Sequence, residues 1–233
     1  MNIIITGASK GIGKAIAEVF AGAGNTLFIC ARNEKILLET ANELRSNYPQ
    51  SIIHERVADL SIKEQVIDFG YWILDAGFEP DILVNNAGQF IPGSIHNEED
   101  GVLERLMEVN VYSAYYLTRT LLPKMMVKKN GHIFNICSIA SIQAYGNGGS
   151  YSISKYALLG FSKNLREELK PFNIKVTSVM PGAAYTDSWS GSGVNPERMM
   201  QANDVAEMVY AASLLSPQAC VEEIVLRPQP GDL

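Results

Sequence analysis

Short runs of apolar, often β-branched residues alternate along the chain with longer segments in which apolar residues recur at helical spacing. The run NIIIT is followed by an amphipathic segment at about residues 11–23, and TLFICA by a second one at about residues 34–47. Further strands are predicted at SIIHERV, DILVNN, GHIFNICS, NIKVTSVM and EEIVLRP. Strands this apolar are typical of a parallel sheet that is covered on both faces. The pattern predicts a doubly wound α/β fold with about seven strands and helices on both faces of the sheet.

One segment departs from this alternation. Residues 181–200, PGAAYTDSWSGSGVNPERMM, follow a predicted strand and are rich in glycine, serine and proline. Because loops of this length in compact domains are usually functional or disordered, a flexible substrate flap is predicted at about residues 184–200. The sequence contains no internal repeat and no linker long enough to separate two domains. Residues 1–233 are therefore predicted to form a single domain.

Length, charge and cysteine content indicate which binding partners and which redox compartment to expect. The 233 residues, 47% of them hydrophobic, suit one α/β domain, and a net charge of −6 opposes encounter with nucleic acid or an anionic membrane surface. No apolar run approaches the ~20 residues of a membrane-spanning helix, and the N-terminus shows no targeting segment. An odd number of separated cysteines favours a reduced, cytoplasmic chain in which each is a small core residue: Cys30, Cys137 and Cys220.

A glycine-rich stretch, TGASKGIG at residues 6–13, lies between the first predicted strand and the first predicted helix. Gly7 allows a sharp turn, and Gly11 and Gly13 allow the backbone to approach a phosphate closely. The N-terminus of the following helix offers unpaired N–H groups and the positive end of its dipole to a pyrophosphate. The stretch therefore predicts a dinucleotide site. Its spacing differs from G-x-G-x-x-G, and a tight turn without a ligand is the alternative.

The end of the second predicted strand, CARN, indicates which dinucleotide is bound. About twenty residues past the glycines, where a carboxylate would bind the ribose hydroxyls of NAD, Arg32 stands instead. With Lys10 it supplies two positive charges for a 2′-phosphate, which favours NADP(H). Glu34 is the competing feature, since it is able to serve a ribose hydroxyl or only to stabilise the first turn of a helix.

The stretch YSISK places Tyr151 and Lys155 four residues apart in a segment that is predicted to be helical. Residues at this spacing lie one above the other, so we expect the Lys155 ammonium to favour the ionised form of the Tyr151 phenol. Taken alone, the pair is more typical of a surface tyrosine stacked on a lysine stem. The surrounding motifs reverse that preference.

Together these motifs resemble the classical short-chain dehydrogenase/reductase family along the whole chain. TGASKGIG matches the family's cofactor turn, NNAG at residues 85–88 its mid-sheet motif, and PGAAYT at residues 181–186 its nicotinamide loop. Asn110, Ser138 and YSISK match its active site. The resemblance implies a Rossmann-type sheet of order 3-2-1-4-5-6-7 and an NADP(H)-dependent oxidoreductase. It also implies a small-molecule carbonyl substrate and a homodimer or homotetramer.

The resemblance assigns a role to each matching residue. Tyr151 is the general acid that protonates the carbonyl oxygen, and Ser138 gives a second hydrogen bond to that oxygen. Lys155 also holds the nicotinamide ribose, and Asn110 positions a water for proton relay. The expected cofactor contacts are Gly7, Ser9, Lys10, Gly11, Ile12, Gly13, Arg32, Asp59, Leu60, Asn86, Ala87, Gly88, Tyr151, Lys155, Pro181, Gly182 and Thr186.

Two stretches bear on the substrate. PGAAYTDSW and VEEIVLRPQPGDL look like those of bacterial sepiapterin reductases, which use NADPH to reduce side-chain carbonyls of a pterin. Asp187 and Asp232 are candidate pterin anchors or only loop and terminal charges. Trp189 is a candidate cover for an aromatic substrate or only a packing residue. A 3-oxoacyl thioester reductase or a general carbonyl reductase is the enzymatic alternative, and a nucleotide-binding regulator the non-enzymatic one.

Other chemically capable residues are given structural roles. The histidines share no metal-ligand spacing, and no metal site is predicted: His54, His96 and His132. Cys137, next to Ser138, is expected to point to the opposite face and to be buried. The acidic residues 98–100 are expected to stabilise the N-terminus of the helix that carries Asn110. Tyr115 and Tyr116 are expected to lie on the packing surface of that helix.

Overall fold

The computed structural model describes residues 1–186 and 193–231. The strands of its main sheet are β1 (Asn2–Thr6), β2 (Thr26–Ala31), β3 (Ile52–Val57), β4 (Ile82–Asn85), β5 (Gly131–Ile136), β6 (Ile174–Pro181) and β9 (Glu223–Leu226). All seven are parallel and lie in the order β3-β2-β1-β4-β5-β6-β9, which confirms the predicted fold class and strand order.

The connections between these strands are mostly helical. The α-helices are α1 (Gly11–Gly22), α2 (Glu34–Asn47), α3 (Lys63–Asp75), α4 (Val102–Met107), α5 (Ser113–Lys128), α6 (Gly149–Leu169) and α7 (Ala202–Ser213). A π-helical turn, Glu108–Tyr112, joins α4 to α5. Short 3-10 turns occur at Ile139–Ser141, Lys170–Phe172 and Pro196–Arg198. None of the helices in the described ranges is both long and apolar enough to cross a membrane.

Strand β1 shows how the apolar strands build a core on both faces of the sheet. Ile3 and Ile5 belong to one buried cluster, with apolar residues of α1, α2 and α7. Ile4, which points the opposite way, belongs to a second cluster, with residues of α3, α5 and α6. All three side chains are fully buried. A strand covered on both faces must be apolar at every position, which explains the unbroken runs in the sequence.

The carboxyl ends of the central strands are tied together at one edge of the sheet. The Thr6 hydroxyl, at the end of β1, accepts hydrogen bonds from the backbone N–H groups of Asn86 and Ala87 after β4, both at 2.9 Å. The chain leaves β1 and β4 in different directions at this point, and such a switch point is where ligands bind in open α/β sheets. The glycine turn and the NNAG stretch therefore meet there.

The segment predicted to be a flap begins and ends in a small sheet of its own. Strand β7 (Ala184–Tyr185) pairs in parallel with β8 (Met200–Gln201), and the Met200 N–H donates to the Ala183 carbonyl at 3.0 Å. Strand β8 leads directly into α7. The two ends of residues 184–200 are thus held side by side. Asp187, Trp189 and Asp232 lie outside the described residues.

Candidate active site

The glycine turn has the backbone geometry that a bound phosphate needs. Gly7 and Gly11 have φ angles of +63° and +57°, in the left-handed region that favours glycine. Helix α1 begins at Gly11, and the preceding Lys10 provides no side-chain cap. The first N–H groups of α1 are therefore available to an anion. Ser9, in the same turn, accepts a hydrogen bond from the Thr40 hydroxyl through its carbonyl at 2.9 Å.

Gly13 is required by close packing and not by its own backbone angles. A Cβ atom there would lie 2.3 Å from Asn86 Nδ2 and 2.4 Å from the Gly7 carbonyl oxygen. Asn86 Nδ2 donates to the carbonyls of Thr6 at 2.9 Å and Gly7 at 3.1 Å. The Asn86 side chain thus fixes the shape of the turn. Ile12, one residue before Gly13, packs against the core cluster beneath α1.

The predicted adenosine side of the site lies past β2 and β3. Arg32 follows β2 directly and is exposed, and its guanidinium has no ion-pair or hydrogen-bond partner among residues 1–186 and 193–231. Lys10 is exposed as well. After β3, Asp59 accepts hydrogen bonds from the backbone and hydroxyl of Ser61, at 3.0 and 2.7 Å. The Leu60 side chain is buried in the core, so only its backbone lies near the surface of the site.

Ser138 follows β5 and is the N-cap of a 3-10 turn. Its Oγ accepts a hydrogen bond from the Ala140 N–H at 3.1 Å, which fixes the oxygen and leaves the hydroxyl proton free to be donated. The Ser138 hydroxyl also opposes the rise that burial causes in the pKa of the Tyr151 phenol. The neighbouring Cys137 is buried, as predicted, and burial raises the pKa of its thiol to about 11. A thiol with that pKa is a poor nucleophile.

Tyr151 and Lys155 lie on successive turns of α6, with Lys155 Nζ 5.8 Å from the centre of the Tyr151 ring. Lys155 is 5% exposed and donates to the Ile136 carbonyl at 2.8 Å. Burial lowers the pKa of Lys155 to about 8. Burial also raises the pKa of Tyr151, and the Ser138 hydroxyl opposes this rise. The prediction that the phenol becomes more acidic is wrong here, because burial outweighs the opposing effect of the Ser138 hydroxyl.

Asn110 lies in the π-helical turn between α4 and α5. Its Oδ1 accepts from the Gln89 N–H at 2.7 Å, while its Nδ2 donates to the Gln89 carbonyl at 3.0 Å and to the Ser154 hydroxyl at 2.9 Å. Gly88 passes close by, since a Cβ there would lie 3.2 Å from Asn110 Oδ1 and 3.5 Å from Lys155 Nζ. Such π-helical turns occur frequently at functional sites. The structure thus brings the four residues of the predicted active site to one edge of the sheet.

The stretch predicted to be the nicotinamide loop follows β6. Pro181 is the last residue of that strand, and the Gly182 N–H donates to the Leu226 carbonyl of β9 at 2.7 Å. Thr186 reaches back to the glycine turn, where a Cβ on Gly11 would lie 3.2 Å from its Cγ2. The loop and the turn are therefore in contact. Cys220, unlike Cys30 and Cys137, is only partly buried.

Three residues near Tyr151 and the start of α6 make contacts that the sequence did not predict. Phe90 packs its ring against Tyr151 at 4.9 Å between centroids. The Tyr145 ring packs on the backbone at Gly148, three residues before Tyr151. The prediction that Glu98 stabilises the helix that carries Asn110 is wrong. Its carboxylate instead accepts hydrogen bonds from the hydroxyl and the N–H of Ser150 at the start of α6. The aromatic residues just after NNAG and just before YSISK were the available signals for the first two.

The sequence profile described as short chain dehydrogenase matches residues 1–195. A sepiapterin reductase from Chlorobaculum tepidum is 32% identical over 239 residues, covering 99% of this chain and 97% of the relative. An uncharacterised oxidoreductase from Staphylococcus saprophyticus is 30% identical over 225 residues, covering 97% and 96% of the two chains. The crystal structure of an alcohol dehydrogenase from Thermococcus sibiricus complexed with 5-hydroxy-NADP superposes with a TM-score of 0.91 at 26% identity, covering 98% and 96%.

Proposed function

The chain belongs to the short-chain dehydrogenase family and is an oxidoreductase, and on that premise we propose that it reduces a carbonyl to an alcohol with NADPH. The observation that supports this proposal is the convergence of Ser138, Tyr151 and Lys155 beside the glycine turn. A phenol, a hydroxyl and an ammonium at one point suit the protonation of a carbonyl oxygen.

The glycine turn and Arg32 fit an NADP(H) molecule. The uncapped start of α1 and the positive φ angles of Gly7 and Gly11 leave room and N–H donors for a pyrophosphate. Arg32 and Lys10 lie at the positions where a 2′-phosphate needs positive charge. The remaining predicted contacts with the cofactor, among them Asp59, are proposals of the same kind. When bound, NADPH supplies the hydride for the carbonyl carbon.

Tyr151 donates its proton to the carbonyl oxygen of the substrate. The raised pKa of the phenol keeps it protonated at neutral pH, as a proton donor must be. Ser138 donates its hydroxyl proton to the same oxygen, because its own Oγ is already fixed by the Ala140 N–H. Two donors on one oxygen stabilise the negative charge that develops there.

Lys155 and Asn110 support these donors from behind. The Lys155 ammonium lies below the Tyr151 ring and is positioned to hold a nicotinamide ribose. Asn110 keeps the π-helical turn in place through its three hydrogen bonds. The proposed role of Asn110 is to position a water for proton relay. Neither residue needs to contact the carbonyl itself.

A pteridine carbonyl is the first candidate substrate, because the relative from Chlorobaculum tepidum is named a sepiapterin reductase and is similar over nearly the whole chain. The predicted contributions of Trp189 and Asp187 to such a pocket remain proposals. A 3-oxoacyl thioester or another simple ketone is the alternative. The non-enzymatic alternative, a nucleotide-binding regulator, is disfavoured because the four residues of the predicted active site are all present: Asn110, Ser138, Tyr151 and Lys155.

Helices α5 and α6 also suit the assembly of two or four copies of the chain. Helix α5 carries Tyr115 at 37% exposure, and α6 carries Tyr156 at 45%. Tyr112, at 45% exposure, is the last residue of the π-helical turn that leads into α5. Covering such rings is favourable in water. We therefore propose a homodimer or homotetramer that pairs through these helices, and light scattering on the purified protein tests it.

The function is tested by a screen of carbonyl compounds with NADPH, including sepiapterin, simple diketones and an acetoacetyl thioester. Tyr151→Phe should bind NADPH like the parent while losing roughly 10²-fold or more of its activity. The control is Tyr156→Phe, which removes an exposed phenol from the same helix. Activity of Tyr151→Phe within about tenfold of the parent contradicts the general-acid role. Tight NADPH binding without reduction of any carbonyl favours the regulator.

A further inference from the structure

Two aromatic side chains beside Tyr151 have no part in the reaction proposed above. We propose that Phe90 and Tyr145 form an aromatic wall of the substrate pocket, which selects carbonyl compounds that carry a flat, aryl group next to the reacting carbon. This inference rests on the proposed carbonyl reduction and names the class of substrate that the site prefers.

Phe90 directly contacts the residue that is proposed to protonate the substrate. Its ring lies 4.9 Å from the Tyr151 ring at an interplanar angle of 81°, an edge-to-face contact. Phe90 nevertheless remains 43% exposed, although it follows the NNAG stretch that ends at the active site. The open part of Phe90 is available to an apolar group of the substrate.

Tyr145 lies in the loop that follows Ser138 and leads into α6, the helix that carries Tyr151. It is 44% exposed, and burial together with the nearby Tyr151 raises the pKa of its phenol to about 12. Its ring also packs on the backbone at Gly148, where a Cβ would lie 3.1 Å from two ring atoms. The Tyr145 ring is thus held against the backbone at the start of α6, with part of its surface open.

The loops that carry the two rings are joined to each other and to α6. The Gly93 N–H donates to the Asn147 carbonyl at 3.1 Å, linking the Phe90 loop to the Tyr145 loop. Glu98 accepts hydrogen bonds from the N–H of Ser150, at 3.3 Å, and from its hydroxyl. A Cβ on Gly149 would lie 2.4 Å from the Gly93 carbonyl oxygen, so the loop and the helix pack closely there.

Fixed rings lose little conformational freedom when a ligand packs against them, and this favours flat ligands over flexible ones. Aromatic pairs also gain from edge-to-face and offset-stacked contacts beyond the area that they bury. Phe90 and Tyr145 therefore offer more to a phenyl or fused-ring ketone than to an aliphatic one. Pterins are one member of that class, and simple aryl ketones are another.

The test compares two diketones that differ only in the group beside the reacting carbonyls, 1-phenyl-1,2-propanedione and 2,3-butanedione. The measured quantity is the ratio of kcat/KM for the phenyl compound to that for the methyl compound. Phe90→Leu and Tyr145→Leu should each lower this ratio about tenfold, mainly through KM for the phenyl compound. Tyr145→Phe keeps the ring and should keep the ratio. Tyr71→Leu, which removes a 53% exposed tyrosine from α3, is the matched control.

Several results would overturn the aromatic wall while leaving the proposed function in place. A ratio that stays within about twofold of the parent in both leucine variants is one. An equal loss of kcat for both diketones in Phe90→Leu is another, since it would mean that Phe90 only supports Tyr151.

A binding measurement decides the inference independently of turnover. Isothermal titration of 1-phenylethanol into the protein saturated with NADPH measures a complex that cannot react. Its dissociation constant should rise about tenfold in Phe90→Leu and Tyr145→Leu but not in Tyr71→Leu. If the parent reduces neither these diketones nor any other carbonyl compound of the screen, the proposed function fails, and this titration still supports or overturns the wall.

Discussion

The side chains of Asn110 and Ser154 form a hydrogen bond of 2.9 Å in a contact that is almost completely buried, with exposures of 1% and 0%. The Ser154 hydroxyl passes the connection on, because it donates to the Tyr151 carbonyl at 2.7 Å. One serine therefore links the π-helical turn to the turn of α6 that carries the proposed proton donor. The family motifs identify Asn110 and Tyr151 but give no role to Ser154, which connects them.

Ser154→Ala should destabilise the protein and slow the reaction. The substitution leaves one hydrogen of Asn110 Nδ2 without a partner in a buried position, at a cost of about 1–3 kcal/mol in the free energy of unfolding. Chemical denaturation and steady-state kinetics measure the two effects. Ser152→Ala is the control on the same helix, since the buried Ser152 hydroxyl has no hydrogen-bond partner among the described residues. Equal effects of the two substitutions would show that the link contributes nothing.

Lys155→Met should stabilise the fold while abolishing activity. Burial lowers the pKa of Lys155 to about 8 from 10.5, so the folded state resists protonation of this amine. This difference from the unfolded state lowers the free energy of unfolding, and the loss is fully present below pH 8. Removing the charge should raise the free energy of unfolding by about 1–3 kcal/mol at pH 7. The difference should shrink between pH 8 and pH 10.5, where the lysine loses its proton. Urea unfolding at pH 7 and pH 10 measures it, and a variant less stable than the parent at pH 7 contradicts the argument.

The sheet and most of the candidate site were predictable from the sequence for a simple physical reason. Apolar strands buried on both faces give long hydrophobic runs, and parallel strands place their carboxyl ends at one edge. Residues that follow β1, β4 and β5 therefore meet, however far apart they lie along the chain. This is why the glycine turn, NNAG and Ser138 were recognised together.

The remaining features depend on contacts that leave no periodic pattern in the sequence. Glu98 and Ser150 are separated by 52 positions and meet only because two loops pack against each other. Phe90 and Tyr145 lie in irregular segments, where an aromatic residue has no predicted face. The pKa of Tyr151 depends on how deeply the phenol is buried, and helical spacing says nothing about burial. Loop packing and desolvation depend on the three-dimensional structure and give no periodic signal in the sequence.

Arg32 should determine the preference for NADPH over NADH. Its exposed guanidinium is positioned to form a charge-assisted pair with a 2′-phosphate, which NADH lacks. Arg32→Ala should therefore weaken NADPH binding about tenfold or more and change NADH binding little, as measured by fluorescence titration. Glu34→Ala tests the competing role of a ribose-binding carboxylate. If Arg32→Ala weakens both cofactors equally, or Glu34→Ala weakens NADH binding instead, the assignment to NADP(H) is wrong.

Acid stability should depend on His132, a buried histidine of β5 far from any predicted chemistry. Its Nε2 lies 2.7 Å from the Thr177 hydroxyl, its Nδ1 is buried without a partner in the described structure, and its ring stacks on Phe134 at 3.9 Å. Burial, with a smaller contribution from the charge of Lys175, lowers the pKa of His132 to about 3 from 6.5. The folded protein therefore keeps this imidazole neutral where the unfolded chain protonates it.

The sign of the effect follows from that difference. Between pH 6.5 and pH 3 the unfolded state binds a proton that the folded state excludes, so the free energy of unfolding should fall with falling pH, by up to about 1.4 kcal/mol per pH unit. His132→Gln retains a hydrogen-bonding side chain that cannot become charged, and it should flatten this part of the pH profile even if it lowers stability at pH 7. His96→Gln, which replaces an exposed loop histidine, should keep the slope of the parent. Urea unfolding at pH 7, 6, 5 and 4 on all three proteins measures the slopes, and parallel profiles for the parent and His132→Gln would show that other groups control acid unfolding.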